Sequence, residues 1–225
     1  MDKMKKIITI FIISAFALLV ISCSGKSAST DTADTNANNM DHSAHNAHQT
    51  SSEIIDLMHY PMMEQPFQKT DNIDADFLVN MIPHHEGAII SSQKLLETTK
   101  NEKLIELANN IIEEQDKEVL EFNELVKELN ANNTDYSDID TEAIGNEMQL
   151  IMDKMMNDMS AIEITGDNDI DFLKGMIPHH QAAIDVSKKI LEYTKNNKIK
   201  EIANRIIKAQ EKEIEDMNNM INSMM

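Results

Sequence analysis

From residue 76 onward, apolar residues recur in alternating steps of four and three. One run is Phe77, Met81, His84 or His85, Ala88, Ser92 and Leu95. A second is Leu104, Ala108, Ile111, Gln115, Glu118, Phe122, Leu125 and Leu129. This is the period of a helix that buries one face against other helices. The pattern predicts a helix beginning near Asp76, which can cap it. A turn follows at Lys100-Asn101-Glu102, then a second helix from about Lys103 to Leu129. Pro83 lacks a backbone N–H, so it is expected to kink the first helix or mark its true start.

The same unit occurs twice. Asp76-Phe77-Leu78-Val79-Asn80-Met81-Ile82-Pro83-His84-His85 returns as Asp171-Phe172-Leu173-Lys174-Gly175-Met176-Ile177-Pro178-His179-His180, an offset of 95 residues. The correspondence runs without a gap through Gln115/Gln210 and Lys117-Glu118/Lys212-Glu213. The second copy places its turn at Lys195-Asn196-Asn197 and its second stripe on Ile199, Ala203, Ile206, Gln210, Glu213, Met217, Met220 and Met224. A hairpin with one apolar stripe cannot bury it alone. Two hairpins predict an all-α protein, a four-helix bundle built from two repeated helical hairpins.

Two further helices are expected outside the repeats. Glu142 to Ile162 carries Met148, Met152, Met155 and Met159 on one face, a stripe that reads as core filling. Ile54 to Met63 holds a denser cluster, Met58, His59, Met62 and Met63, which is a secondary candidate for metal.

The N-terminus has a different character. Basic residues Lys3, Lys5 and Lys6 precede an apolar run, Ile7 to Ile21, that is short for a membrane span and fits a secretory signal. It ends at Ser22-Cys23-Ser24-Gly25, which resembles the box where a cysteine is acylated, with Val20 where Leu is usual. The expected organisation is a lipoprotein signal over 1–22, a flexible tether over 23–52 and a helical domain over 53–225. Cys23 would be the lipidation site, and its lipid would join the protein to a membrane of the cell envelope. An ordinary signal cut nearby is the competing reading. The tether is rich in Ser, Thr, Asn, Asp and Ala, and contains His42, His45 and His48 beside Met40. These either collect a soft or borderline metal ion or belong to a polar linker.

Composition narrows the classes. There are 17 Met, no Trp and 5 Gly, as a helical chain would have. Cys23 is the single cysteine, which rules out a disulfide framework and thiolate metal clusters. The net charge is −19, and removing residues 1–22, with Asp2 and three lysines, takes it to −21. That charge argues against nucleic acid as a partner. It is compatible with attracting cations, and it leaves a homo-oligomer open.

The chemistry lies in polar residues at core positions. Gln115, Gln210, Glu118 and Glu213 stand on stripes that should be apolar, and a buried carboxylate needs a partner. Neighbours on a helix differ by about 100° in direction. One histidine of His84-His85 and of His179-His180 can therefore point inward, with the other on the flank. Folding each hairpin about its turn sets Met81 beside Glu118 and His84 beside Gln115, with Met176 beside Glu213 and His179 beside Gln210. Thioether, imidazole and carboxylate together suit a transition metal. The chain has Gln-x-x-Glu where di-iron bundles use Glu-x-x-His, and it lacks the His-Glu-x-x-His of zinc proteases. The alternative is a buried polar network that only fixes register.

The repeated Met-Ile-Pro-His-His-x-x-Ala-Ile, followed by Ala-x-x-Ile-Ile-x-x-Gln-x-x-Glu, resembles the family catalogued as domain of unknown function 305, over about residues 71–129 and 166–225. The resemblance implies a ferritin-like bundle, export and a role in copper binding or resistance. Where that family often has Met four residues after the Glu, this chain has Met217 in one copy and Phe122 in the other. Glu86 of the first copy is Gln181 in the second. The two halves are therefore expected to differ.

The leading expectation is an envelope lipoprotein that binds copper, or another divalent transition metal, for sequestration, transfer or resistance. Its bundle site would use His84, His85, His179, His180, Met81, Met176, Glu118, Glu213, Gln115 and Gln210. A metal-dependent oxidase of Cu(I) or Fe(II) in the same bundle is the second reading. A helical interaction scaffold without metal is the third.

Overall fold

A computed structural model describes residues 52–132 and 134–224. Six helices form there: α1 (Glu53–Glu64), α2 (Ile73–Thr98), α3 (Glu102–Ala131), α4 (Thr141–Ser160), α5 (Asn168–Tyr193) and α6 (Asn197–Met224). Cys23 and the tether histidines His42, His45 and His48 lie outside the described residues. None of the described helices is long and apolar enough to cross a membrane.

α2 pairs with α3 and α5 with α6, and the two hairpins meet through α2 and α5. This is the all-α bundle of two repeated hairpins that the offset requires. α1 packs on α2 and α5, and α4 packs on α5 and touches α2. The expected stripes are the buried faces: Phe77, Met81, Leu104, Ile111, Phe122, Phe172 and Met176 are all within the core. Met148, Met152, Met155 and Met159 are buried too, so that stripe fills the core.

The helix starts differ from expectation by about one turn. Asn72 caps α2 by accepting from the Ala75 N–H, and Asp167 caps α5 by accepting from Asp169 and Ile170. Asp76 and Asp171 lie inside the first turn instead and reach back. Asp76 accepts from the Thr70 N–H at 2.6 Å and its hydroxyl at 2.9 Å; Asp171 accepts from the corresponding groups of Thr165 at 2.8 and 2.7 Å. Carboxylates here also meet the positive end of the helix dipole.

Pro83 and Pro178 sit inside continuous helices and neither starts one. At Pro83 the carbonyl left without its helical donor belongs to Val79, and an open groove of about 230 Å³ runs past Val79, Asn80 and Pro83. Solvent can supply that hydrogen bond, so the lost helical bond is tolerated.

The repeats are related by a pseudo-two-fold axis, seen in reciprocal contacts. Thr194 at the end of the second hairpin's first helix donates to Asp74 of the first repeat at 2.6 Å. Thr99 donates to Asp169 of the second at 3.1 Å. Tyr136 donates to Asp74 as well, at 2.8 Å, so only the first of these latches is tied to the segment before α4.

α1 reaches the bundle because glycine lets it. A Cβ on Gly87 would stand 2.1 Å from the Met58 carbonyl oxygen, and one on Gly175 would stand 3.2 Å from the Met58 sulfur. Met58 is thus wedged against both central helices and is fully buried.

Candidate metal centre

All four repeat histidines are fully buried, rather than one inward and one flanking in each pair. The two members of a pair face different neighbours. His84 and His179 turn toward each other across the α2–α5 contact and stack, with ring centroids 3.7 Å apart at 29°. His85 and His180 turn toward the second helix of their own hairpin. His85 Nε2 lies 2.8 Å from Glu118, and His180 Nε2 lies 2.8 Å from Glu213.

That pairing corrects the fold-back register. Glu118 and Glu213 meet histidine one turn further along, not Met81 and Met176. The reason is the tilt of side chains toward a helix N-terminus. On α2 the tilt carries His85 away from the turn, and on α3 it carries Glu118 toward it. The two meet although their backbones lie at unequal distances from the turn. Gln115 and Gln210 are both buried; neither Gln115 side-chain polar atom has a partner, and Gln210 lacks one on its oxygen. Met81 and Met176 are fully buried one helical turn before the histidines.

The hydrogen bonds fix ring protons. His84 Nε2 lies 3.0 Å from the His179 carbonyl oxygen, which only accepts, so His84 donates from Nε2. Facing a carboxylate each, His85 and His180 likewise donate from Nε2. Nδ1 of His84 is then its free lone-pair atom, and Nδ1 of His84, His85 and His180 is buried and without a hydrogen-bond partner among the described residues. Both ring nitrogens of His179 are without one. Burial, then the nearby rings of His85 and His180, holds His84 well below the usual imidazole range. His179 is held down in the same way by burial and then by His84, His180, His59 and His85. Neutral rings with lone pairs in a dry site are what a transition ion needs. A carboxylate or carbonyl on the far nitrogen is the usual way such a ligand is oriented. Among the described residues, though, no three His, Cys, Asp or Glu side chains are gathered as a ready cage.

The halves are unequal. Arg205 Nε donates to Glu118 at 3.0 Å and pairs with Glu121 as well. Burial alone would push Glu118 up, but His85 and Arg205 outweigh it and hold the carboxyl below its ordinary value. The position matching Arg205 in the first repeat is Asn110, and no described lysine or arginine lies at ion-pair distance from Glu213. His85 also packs at 5.3 Å against Phe122, where the second repeat has the buried Met217.

The secondary cluster is divided. Met58 is spent on the Gly87 and Gly175 contacts. His59 Nε2 instead meets Met159 Sδ at 3.3 Å. Met62 and Met63 line a groove with Met152 and Met156. Sequence reading missed the His59–Met159 pair because it joins residues 100 apart on different helices. The one signal was that α4 carries more methionine than a core helix needs.

Fold and site define a class: a duplicated helical hairpin around a buried His-His centre. The chain belongs to the family described as domain of unknown function DUF305, whose model matches residues 22–126 and again 74–221. The uncharacterized protein L153 of Acanthamoeba polyphaga mimivirus is 46% identical over 54 residues, 24% of this chain and 36% of that protein. The match thus spans about a third of that relative's length. Among solved structures, CopM in its Cu(I)-bound form is similar at 24% identity and a TM-score of 0.51, covering 70% of this chain and 99% of CopM. CopM in its Cu(II)-bound form is 22% identical with a TM-score of 0.51, covering 68% and 97%. A DUF305 fragment from Deinococcus radiodurans is 18% identical with a TM-score of 0.51, covering 69% and 98%. At these identities the likeness is one of fold.

Proposed function

We propose that this protein binds copper at the cell envelope, holding Cu(I) in the bundle core for sequestration or transfer. The observation that carries the reading is the set of buried, unpartnered imidazole nitrogens on His84, His85, His179 and His180. Leaving such atoms unmade costs stability, about 1–3 kcal/mol each, so a native core keeps them for a reason. Nδ1 would be the donor atom on His84, His85 and His180. Glu118 and Glu213 would act by fixing those rings rather than by ligating. Met81 and Met176, one turn away, would supply soft thioethers. Gln115 and Gln210, buried with unpartnered side-chain oxygens, would stand as further oxygen donors. CopM, solved with Cu(I), Cu(II) and silver, gives the same metal class in the same fold.

The second-repeat half would be the stronger. His180 and Glu213 have no arginine competing for the carboxylate, and Met217 stands where the first repeat has Phe122. Lipid attachment at Cys23, a tether over 23–52 and a bundle domain over 53–225 would hold this centre at a membrane surface. His42, His45 and His48 would deliver ions to it.

The test is a Cu(I) titration of the full chain against a competing chelator, beside His84→Ala/His179→Ala and His180→Ala variants. Tight binding that falls in both variants supports the core site. Binding unaffected by either removes it.

A further inference from the structure

The contact between His59 and Met159 joins α1 to α4, two helices that lie outside the repeats. The helices run antiparallel there, since moving forward from His59 reaches residues that share a groove with residues before Met159. In that register Met62 comes level with Met156, one turn from the His59–Met159 pair. Both line a groove of about 250 Å³ with Met63, Met152 and Asp153. Four methionines thus line one groove, and a fifth with an imidazole lies one helical turn along from two of them.

Packing alone does not account for this arrangement. A core methionine is covered, whereas Met63 is 64% exposed and Met62 and Met156 are only partly buried. His59 Nε2 and Met159 Sδ stand 3.3 Å apart. A nitrogen about 2.0–2.1 Å and a sulfur about 2.3 Å from one ion, at near-tetrahedral angles, would stand about 3.5–3.6 Å apart, so a small opening of this pair admits an ion. Burial holds His59 below the ordinary imidazole range, against the opposing pull of Asp56, so its ring is neutral and able to ligate.

We propose that α1 and α4 form a second, soft-cation site, in which His59, Met62, Met156 and Met159 are the donors and a monovalent ion of the Cu(I) class is the occupant. Thioethers select soft monovalent ions over hard divalent ones. Asp153 at the groove wall balances the charge. The groove opens to solvent and also borders Pro83 of α2. This site does not depend on the core centre, and the two can fail separately.

The test uses the full chain labelled with ¹³C at methionine methyls, titrated with Ag(I) as a redox-inert soft probe. Assignments come from single Met→Leu changes. The companion variant is Met62→Leu/Met156→Leu, which conserves volume and keeps the groove packed. The methyl signals of Met62, Met156 and Met159 should move together and saturate. The variant should bind one equivalent less, while the ring signals of His84 and His179 still respond. Methyl signals unmoved at saturating Ag(I), or full stoichiometry in the variant, would overturn the site. Methyls that move while the core histidines stay silent would support it and count against the core centre.

Discussion

His84 and His179 are the same residue of two repeats, and they stack on each other with ring centroids 3.7 Å apart. The pseudo-two-fold axis therefore passes between the two imidazoles, both fully buried. Each ring is neutral because the site is dry, and each keeps at least one lone pair unused.

That neutrality makes the metal-free protein acid-sensitive in a defined range. Burial first, and neighbouring rings second, lower both histidines well below the ordinary imidazole value. In the unfolded chain they take up protons as pH falls through about 6.5. The folded chain does so only at lower pH, so the unfolded state binds more protons and stability declines. The loss should approach about 1.4 kcal/mol per pH unit per histidine between those limits. Denaturant midpoints from pH 8 to 5 measure it, and His84→Gln/His179→Gln should flatten the profile.

The inequality of the halves should appear in affinity. Glu213 orients His180 alone, whereas Glu118 is shared between His85 and Arg205. Losing a group that orients a ligand typically costs about 10–100-fold in metal affinity. Glu213→Gln should fall in that range and Glu118→Gln below it. Chelator competition on the two variants reads the difference, and equal losses would show that Arg205 is irrelevant.

Gly87 has a structural duty that its repeat partner lacks. Ala there would drive a Cβ into the Met58 carbonyl, while position 182 already carries Ala. Gly87→Ala should destabilise by about 1–3 kcal/mol or more as α1 is pushed off the bundle. Ala182→Gly should cost only the helix penalty, about 1 kcal/mol. Urea unfolding compares them.

The reciprocal latches should also differ. Asp74 is fully buried and receives Thr194 and Tyr136, with Thr134 at 3.5 Å, so Asp74→Ala removes the acceptor of three donors, two of them buried. The expected cost is about 2–4 kcal/mol. Asp169 is half-buried and receives Thr99 alone, so Asp169→Ala should cost about 1 kcal/mol or less. Thermal unfolding of the two variants distinguishes them.

Much of this was legible in the chain. The 95-residue offset and the four–three spacing define the hairpins, and polar residues on apolar stripes mark the centre. What periodicity cannot supply is direction. Residues 84 and 85 are separated by about 100°, and both prove buried because each helix has two partners. The partner of Glu118 depended on side-chain tilt, which spacing does not encode. The stripe through Met159 does fill the core, but its contact with His59 was not legible because the two helices have no sequence relation.

The central proposal is that core imidazoles take Cu(I) through Nδ1 while Nε2–H stays bonded. It is tested most directly by ¹⁵N spectra of histidine-labelled full chain, before and after Cu(I) under anaerobic conditions. The predicted result is that Nδ1 of His180 and His84 loses its free lone-pair shift, with Nε2 still protonated against Glu213 and the His179 carbonyl. Unchanged ring nitrogens at stoichiometric Cu(I), or shifts confined to Nε2, would contradict it.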